Sequence, residues 1–348
     1  MEQEKKITSI NTKTNKLCVI KKFFNNLFNH YNSNIIISEI NASNAIIIRD
    51  FTKTFKKFKA VDNANITVKT GIIHGFIGPN GSGKTTAIKC LISAMIETTG
   101  DLIIHGKRSW TVDAKKQVGY IPEAARFPKR ITTYDYLVSM GQISGLTSKL
   151  AKEKTEIILK ELDLWKFKKR NPNDYSSGMK KKVLLAQSLL NNPNVLILDE
   201  PAANLDPTAR TELFNDLKKL RDEGKTIFIS SHILSELQNL ADEVTVLNYS
   251  KVVYTGSVNK TDSMYEISTN QDNSKLMKIL QANKFEVETH DNKLLVHIKN
   301  ENEVAQVLEL ALKANLIITY LIPYKIDLQT MYERIVMEAN QKTKKGEK

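Results

Sequence analysis

The run Gly78-Pro79-Asn80-Gly81-Ser82-Gly83-Lys84-Thr85-Thr86 limits what this chain can fold into more than any other segment. It fits the pattern G-x-x-x-x-G-K-[ST], follows an apolar stretch ending at Ile77 and opens a helical pattern over 86–95. Glycines let the main chain curl until successive N–H groups converge on one point, and a helix N-terminus adds its positive dipole there. Such a loop is built for phosphate: Lys84 would reach the β- and γ-phosphates of a nucleotide, and Thr85 would ligate Mg²⁺. With glycine at only 14 of 348 positions, a chance match is remote.

A strand, a loop of this kind and a helix demand an α/β fold, and the rest of the pattern agrees. Segments 72–77, 195–198 and 226–230 are nearly unbroken Val, Ile, Leu and Phe, which reads as strands of a parallel sheet buried on both faces. Segments 244–247 and 251–254 read as a closing hairpin, and 132–190 as a helical insertion with a loop at Pro172-Asn173. The strand at 195–198 runs into Asp199-Glu200-Pro201. A carboxylate at the carboxyl edge of the sheet, beside the phosphate loop, suits Asp199 to holding Mg²⁺. Glu200 would then face the γ-phosphate and polarise an attacking water, which implies hydrolysis. By itself an Asp-Glu after a strand is more often a solvated loop start; the phosphate loop reverses that reading.

Between and after these motifs lie Tyr175-Ser176-Ser177-Gly178-Met179, a basic helical run over 180–190, and Ser230-Ser231-His232. Together they resemble the nucleotide-binding proteins of ABC transporters over about residues 45–258. The resemblance implies a P-loop NTPase cassette with a mainly parallel α/β core and a helical subdomain, using ATP and Mg²⁺. It implies that Ser176 and Gly178 bind the γ-phosphate held by an opposite subunit, although Ser177 and Met179 replace the family's usual glycine and glutamine. It also implies that Phe55 stacks on adenine and that His232 contacts the γ-phosphate. Asp206, in Ala203-Asn204-Leu205-Asp206, belongs to the loop that crosses the dimer. Glu123, in Gly119-Tyr120-Ile121-Pro122-Glu123, stands where the family usually has glutamine, keeping an oxygen ligand for Mg²⁺ or water. The expected catalytic set is therefore Glu200, His232, Lys84 and Glu123, with Thr85, Asp199 and Glu123 toward the metal. Nucleotide contacts are expected from Phe55, residues 78–86, Ser176, Gly178 and Asp206. Two cassettes must sandwich two ATP molecules, so a second copy or a related cassette is an expected partner.

Composition bounds the setting. The net charge is +13, and its ends dominate: residues 1–60 carry 11 Lys and Arg against 4 Asp and Glu, and residues 341–348 carry 4 against 1. Basic ends suit an anionic membrane surface or nucleic acid, or are simply solvated. Two cysteines, Cys18 and Cys90, make neither a disulfide framework nor a zinc knuckle. The longest apolar runs, such as 316–323, fall well short of the roughly 20 residues of a spanning helix. The opening residues Glu2, Glu4, Lys5 and Lys6 lack the apolar stretch of a secretory signal. A cytoplasmic protein, peripheral at the cell membrane and dependent on separate transmembrane permease subunits, is expected.

Four parts are expected along the chain: an extension at 1–43, the cassette at 44–258, a small α+β accessory domain at 262–333 and a basic tail at 334–348. In the extension, Val19, Ile20, Phe23, Phe24, Leu27, Phe28 and Tyr31 recur at helical spacing beside Lys16, Lys21 and Lys22, an amphipathic helix candidate for the membrane surface or the partner. The motif variants and accessory domain resemble exporters of the drug, antibiotic and lipid type. A soluble ABC ATPase acting on ribosomes or nucleic acid, which usually has two cassettes per chain or long insertions, and an importer ATPase, expected to carry glutamine at 123, are the alternatives. Nucleic acid is not an expected partner.

Overall fold

The computed structural model describes residues 43–96, 98–258, 264–271, 273–290, 292–298, 300–324, 328–333 and 337. The amphipathic candidate at 19–31, residues 259–263 between the cassette and the accessory domain, and the basic tail apart from Met337 lie outside the described residues.

Strands β1 (Asn44–Phe55) and β2 (Phe58–Lys69) pair antiparallel, and β3 (Ile73–Ile77) leads through the glycine-rich loop into α1 (Lys84–Leu91). Strands β4 (Thr99–Ile104) and β5 (Lys107–Arg108), helix α2 (Val112–Lys116) and β6 (Val118–Ile121) follow. The insertion contains α3 (Thr133–Ile143), α4 (Ser148–Glu161) and α5 (Ser177–Leu189), with 3-10 turns at Trp165–Phe167 and Pro172–Asp174. The chain continues with β7 (Val195–Leu198), α6 (Pro207–Asp222), β8 (Thr226–Ser231), α7 (Leu234–Gln238), β9 (Glu243–Asn248) and β10 (Lys251–Ser257).

These strands form two sheets. The first is mixed, in the order β10-β9-β3-β8-β7-β6, parallel throughout except at β10. The β9–β10 hairpin turns on Tyr249 and Ser250, both at positive φ (43° and 66°), which matches the twist of its strands. The second sheet, β2-β1-β4-β5, is antiparallel. The mainly parallel pattern read from the sequence does not foresee it, because register shifts along β1 break the alternation that would have revealed it.

Strands β3, β7 and β8 of the mixed sheet are buried at every position, on both faces, which is why they read as mostly apolar runs without alternation. On β7, Leu196 and Leu198 join the core under the helical insertion, with Leu137, Leu159 and Val183. Val195 and Ile197 join the opposite core, where α1 is clasped against the antiparallel sheet by Ile46, Phe51 and Ile66.

After residue 263 comes a third sheet with its own core. Strand β11 (Met264–Thr269), α8 (Asn273–Ala282), β12 (Val287–His290), β13 (Lys293–His297), α9 (Glu301–Lys313) and β14 (Ile318–Pro323) give the antiparallel order β12-β13-β11-β14. Ile267, Leu276, Leu280, Val296 and Val307 fill the space between this sheet and its two helices. The chain then returns: a helical stretch at 328–333 puts Leu328, 1% exposed, into the core of the first sheet with Leu234 and Leu237. The Leu328 N–H donates to Gln238 Oε1. Among the described residues no helix is long and apolar enough to cross a membrane.

Candidate functional site

Parallel strands present their carboxyl ends along one edge, and four of them deliver the site there. β3 ends in the loop at 78–83, β6 in Pro122-Glu123, β7 in Asp199-Glu200 and β8 in His232. The loop needs its glycines for space and conformation: Gly83 caps α1 at φ +111°, and a Cβ there would lie 2.1 Å from the Ala60 carbonyl oxygen. A Cβ on Gly78 would lie 2.3 Å from Leu247 O. Only backbone fits between these neighbours.

Lys84 is 5% exposed, and its ammonium donates to Gly78 O at 2.7 Å and Pro79 O at 3.3 Å. It also lies 3.3 Å from Glu200 Oε1. The other carboxyl oxygen, Oε2, meets His232 Nδ1 at 2.7 Å. Glu200 adopts φ +47°, unusual for a glutamate, and its N–H donates to Ser230 Oγ at 2.9 Å, which fixes that conformation. The Ser230 hydroxyl in turn donates to Asp199 Oδ1 at 2.9 Å, and Thr85 Oγ1 donates to the same oxygen at 3.1 Å. Burial raises the Asp199 carboxyl above the usual aspartate range; the two hydroxyl donors oppose this, and nearby Glu200 and Glu123 reinforce it.

Phe55, Phe58, Ala60, Asn80, Gly81, Gly83, Lys84, Thr85, Thr86, Glu123, Glu200, Ala203 and His232 enclose a cavity of about 380 Å³. Its lining combines an exposed aromatic pair, Phe55 at 43% and Phe58 at 61%, with the Lys84 cation and the Glu123 and Glu200 carboxylates. That combination fits a flat heteroaromatic base joined to phosphates. Gly78 and Pro79 act through the carbonyls that hold Lys84. Ser82, 3% exposed, has a buried hydroxyl with no hydrogen-bond partner in the protein, a donor in reserve within the phosphate loop.

Ser176, Gly178 and Asp206 are not brought to this cavity. They line a second one of about 660 Å³, with Met179, Lys182 and Ala209. Ser176 caps α5, accepting from Met179 N at 3.3 Å, and Asp206 caps α6, accepting from Ala209 N at 2.9 Å. Gly178 sits where a Cβ would be 2.7 Å from Ala209 Cβ, so the two helix starts touch.

Sequence reasoning missed Phe58, Ser230 and Lys181. Phe58 had a signal in its closeness to Phe55. Lys181 had none: it is one lysine of three in a row, yet it is 5% exposed, and its ammonium donates to Glu123 O at 2.5 Å and Pro122 O at 3.2 Å. Burial pushes it down to about 8, against the pull of Glu123, Asp199 and Glu200.

Residues 61–203 match the ABC transporter family. A protein of Mycoplasma pneumoniae named as an ABC transporter ATP-binding protein is 39% identical over 234 residues, 66% of this chain and 72% of that one. The lantibiotic transport ATP-binding protein SrtF of Streptococcus pyogenes is 33% identical over 225 residues, 64% of this chain and 96% of that one. Among solved structures, an ATP-binding subunit of an ABC transporter superposes with a TM-score of 0.57 at 26% identity, covering 62% of this chain and 91% of that one.

Proposed function

The chain belongs to the family of ABC transporter ATP-binding proteins, and from that premise we propose that it hydrolyses ATP in the cavity around Lys84 to drive export through separate membrane subunits. The observation that carries the chemistry is the division of the Glu200 carboxyl between Lys84 at 3.3 Å and His232 at 2.7 Å.

The β- and γ-phosphates compete with Glu200 for the Lys84 ammonium, since phosphate oxygens are the stronger acceptors for a charged donor. Drawn off by phosphate, Lys84 releases Oε1, while His232 keeps the carboxylate aimed. Glu200 then accepts a proton from water as the water oxygen bonds to the γ-phosphorus and the bond to the β–γ bridging oxygen breaks, leaving ADP. Phe55 and Phe58 stack the base. Thr85, Asp199 and Glu123 would hold Mg²⁺, a hard cation that keeps much of its water shell and needs few protein oxygens, and it would neutralise phosphate charge. A cation there also favours the ionised Asp199 that burial disfavours.

The separate cavity at Ser176 and Gly178 supports a paired arrangement in which each copy closes the other's nucleotide. The partners are a second cassette and permease subunits, at the cytoplasmic face of the membrane, with residues 123–146 as the docking region. The export direction follows the resemblance of the motif variants to exporters; SrtF is named for lantibiotic transport, and the cargo class proposed for this chain is antibiotic, drug or lipid.

The test is co-purification of the Glu200→Gln protein with ATP in mild detergent, followed by mass spectrometry. A multi-span membrane protein in about equal amount supports the transporter reading. Ribosomal proteins or nucleic acid without a membrane partner would overturn it.

A further inference from the structure

Lys181 lines neither cavity, and neither the phosphate loop nor the helix start at Ser176 accounts for it. It lies on α5, five positions beyond the cap Ser176, and reaches into the protein rather than into solvent. Its ammonium spans two consecutive main-chain carbonyls, Pro122 O at 3.2 Å and Glu123 O at 2.5 Å. These carbonyls belong to the turn that leaves β6 and carries Glu123 into the cavity with Lys84 and Glu200. A buried ammonium is costly unless its donors are met and opposite charge is near. Here the two carbonyls meet it, and Glu123, Asp199 and Glu200 supply the negative field. A methionine would fill the same volume without that cost, so packing alone does not explain a cation at this position.

We propose that Lys181 is a positioning residue: it ties the turn bearing Glu123 to the helix bearing Ser176 and Gly178, so that the turn at one nucleotide cavity and the phosphate-facing helix at the other move as one piece. The proposal rests on the paired-cassette reading above and adds the link inside each chain. A displacement of the 122–123 main chain, set by what Glu123 meets, is passed through the Lys181 side chain to the start of α5. That start faces the other nucleotide of the pair, and occupancy of one cavity therefore changes closure over the other. The link needs no change in the charge of Lys181.

The experiment compares the parent with Lys181→Met, which keeps the length and removes the donors, and Lys181→Arg, which restores a cation with several N–H groups. The readouts are thermal midpoint, affinity for a fluorescent ATP analogue, kcat, KM for ATP and the Hill coefficient of ATPase activity. Lys181→Met is expected to bind nucleotide within about threefold of the parent. Its kcat should fall roughly tenfold with little change in KM, as a sub-ångström misplacement near the reacting groups would produce. Its Hill coefficient should drop toward one, and Lys181→Arg should recover a substantial part of both. A Lys181→Met protein with parental kcat and Hill coefficient would overturn the proposal. So would losses of kcat that only follow losses of folded fraction and nucleotide affinity, with no change in cooperativity. If Lys181→Met does not fold, Lys181→Gln, which keeps N–H donors at shorter reach, carries the same comparison. A parent without ATPase activity removes the functional reading itself, and the proposal with it, a result distinct from an active, cooperative parent that Lys181→Met merely matches.

Discussion

Glu200 has its two carboxyl oxygens committed to different partners, Lys84 and His232, and that division separates two substitutions that would otherwise look alike. Glu200→Gln keeps the shape and removes the base proposed above, so turnover should fall by roughly 10² or more while ATP binding is retained. Lys84→Ala removes the cation that phosphates need, and losing a charged hydrogen-bond donor costs about 1.5–3 kcal/mol, a loss of affinity of roughly 10- to 100-fold. A fluorescent-nucleotide titration beside a phosphate-release assay distinguishes them. A third residue gives a pH prediction away from the site. His74 is fully buried, with Nε2 at 2.8 Å from Thr245 Oγ1 and with Lys69 and Glu243 nearby. Burial, helped by the Lys69 charge, lowers its pKa from 6.5 to about 3. The unfolded chain therefore binds the extra proton between those values, and stability is lost as pH falls. The loss between pH 7 and pH 5 should be about 2 kcal/mol. Urea unfolding at both pH values checks it; His74→Gln, which keeps a partner for Thr245, should flatten the difference.

Among elements, the phosphate loop shows how far sequence reading reaches and where it stops. Its residues were legible because convergent N–H groups demand glycine and phosphate demands a cation, constraints that act within nine consecutive residues. Which glycines are indispensable was not legible, since that depends on strands remote in sequence. Gly81 has φ +80° and open space around its α-carbon, so Gly81→Ala should cost about 1 kcal/mol. Gly83 has φ +111° and the Ala60 carbonyl 2.1 Å from an ideal Cβ, so Gly83→Ala should cost more than about 2 kcal/mol and abolish nucleotide binding. Thermal unfolding and nucleotide titration of both variants test the contrast. The same division explains the other elements. Strands β3, β7 and β8 were visible because burial on both faces makes their residues mostly apolar, without the alternation of a half-exposed strand. The β2-β1-β4-β5 sheet was not, because bulges shift its register, and Lys181 was not, because nothing in a row of three lysines marks which one turns inward.

For the whole molecule, the decisive fact is that the chain carries two separate cavities: the one at Lys84 and the one at Ser176 have no lining residue in common. If each completes the other in a pair, activity is a property of the dimer, and in dilute solution the rate of ATP hydrolysis should rise with the square of protein concentration. A rate strictly proportional to concentration down to nanomolar protein would mean that one chain suffices. The return of the chain at Leu328 to the helix that follows His232 adds a second whole-molecule relation, because it anchors whatever precedes it to that helix.

The order of the mixed sheet also has a consequence for synthesis. β3, which launches the phosphate loop, lies between β8 and β9, so the strand made first is paired on both sides by strands made late. From Ile77 to Glu243, where β9 begins, about 165 residues must emerge, which takes ~10–30 s at translation rates of 5–20 residues per second. Until β8 emerges at Thr226–Ser231 neither neighbour of β3 exists, and its second neighbour follows only with β9, so its apolar side chains are expected to stay exposed on the nascent chain for most of that interval.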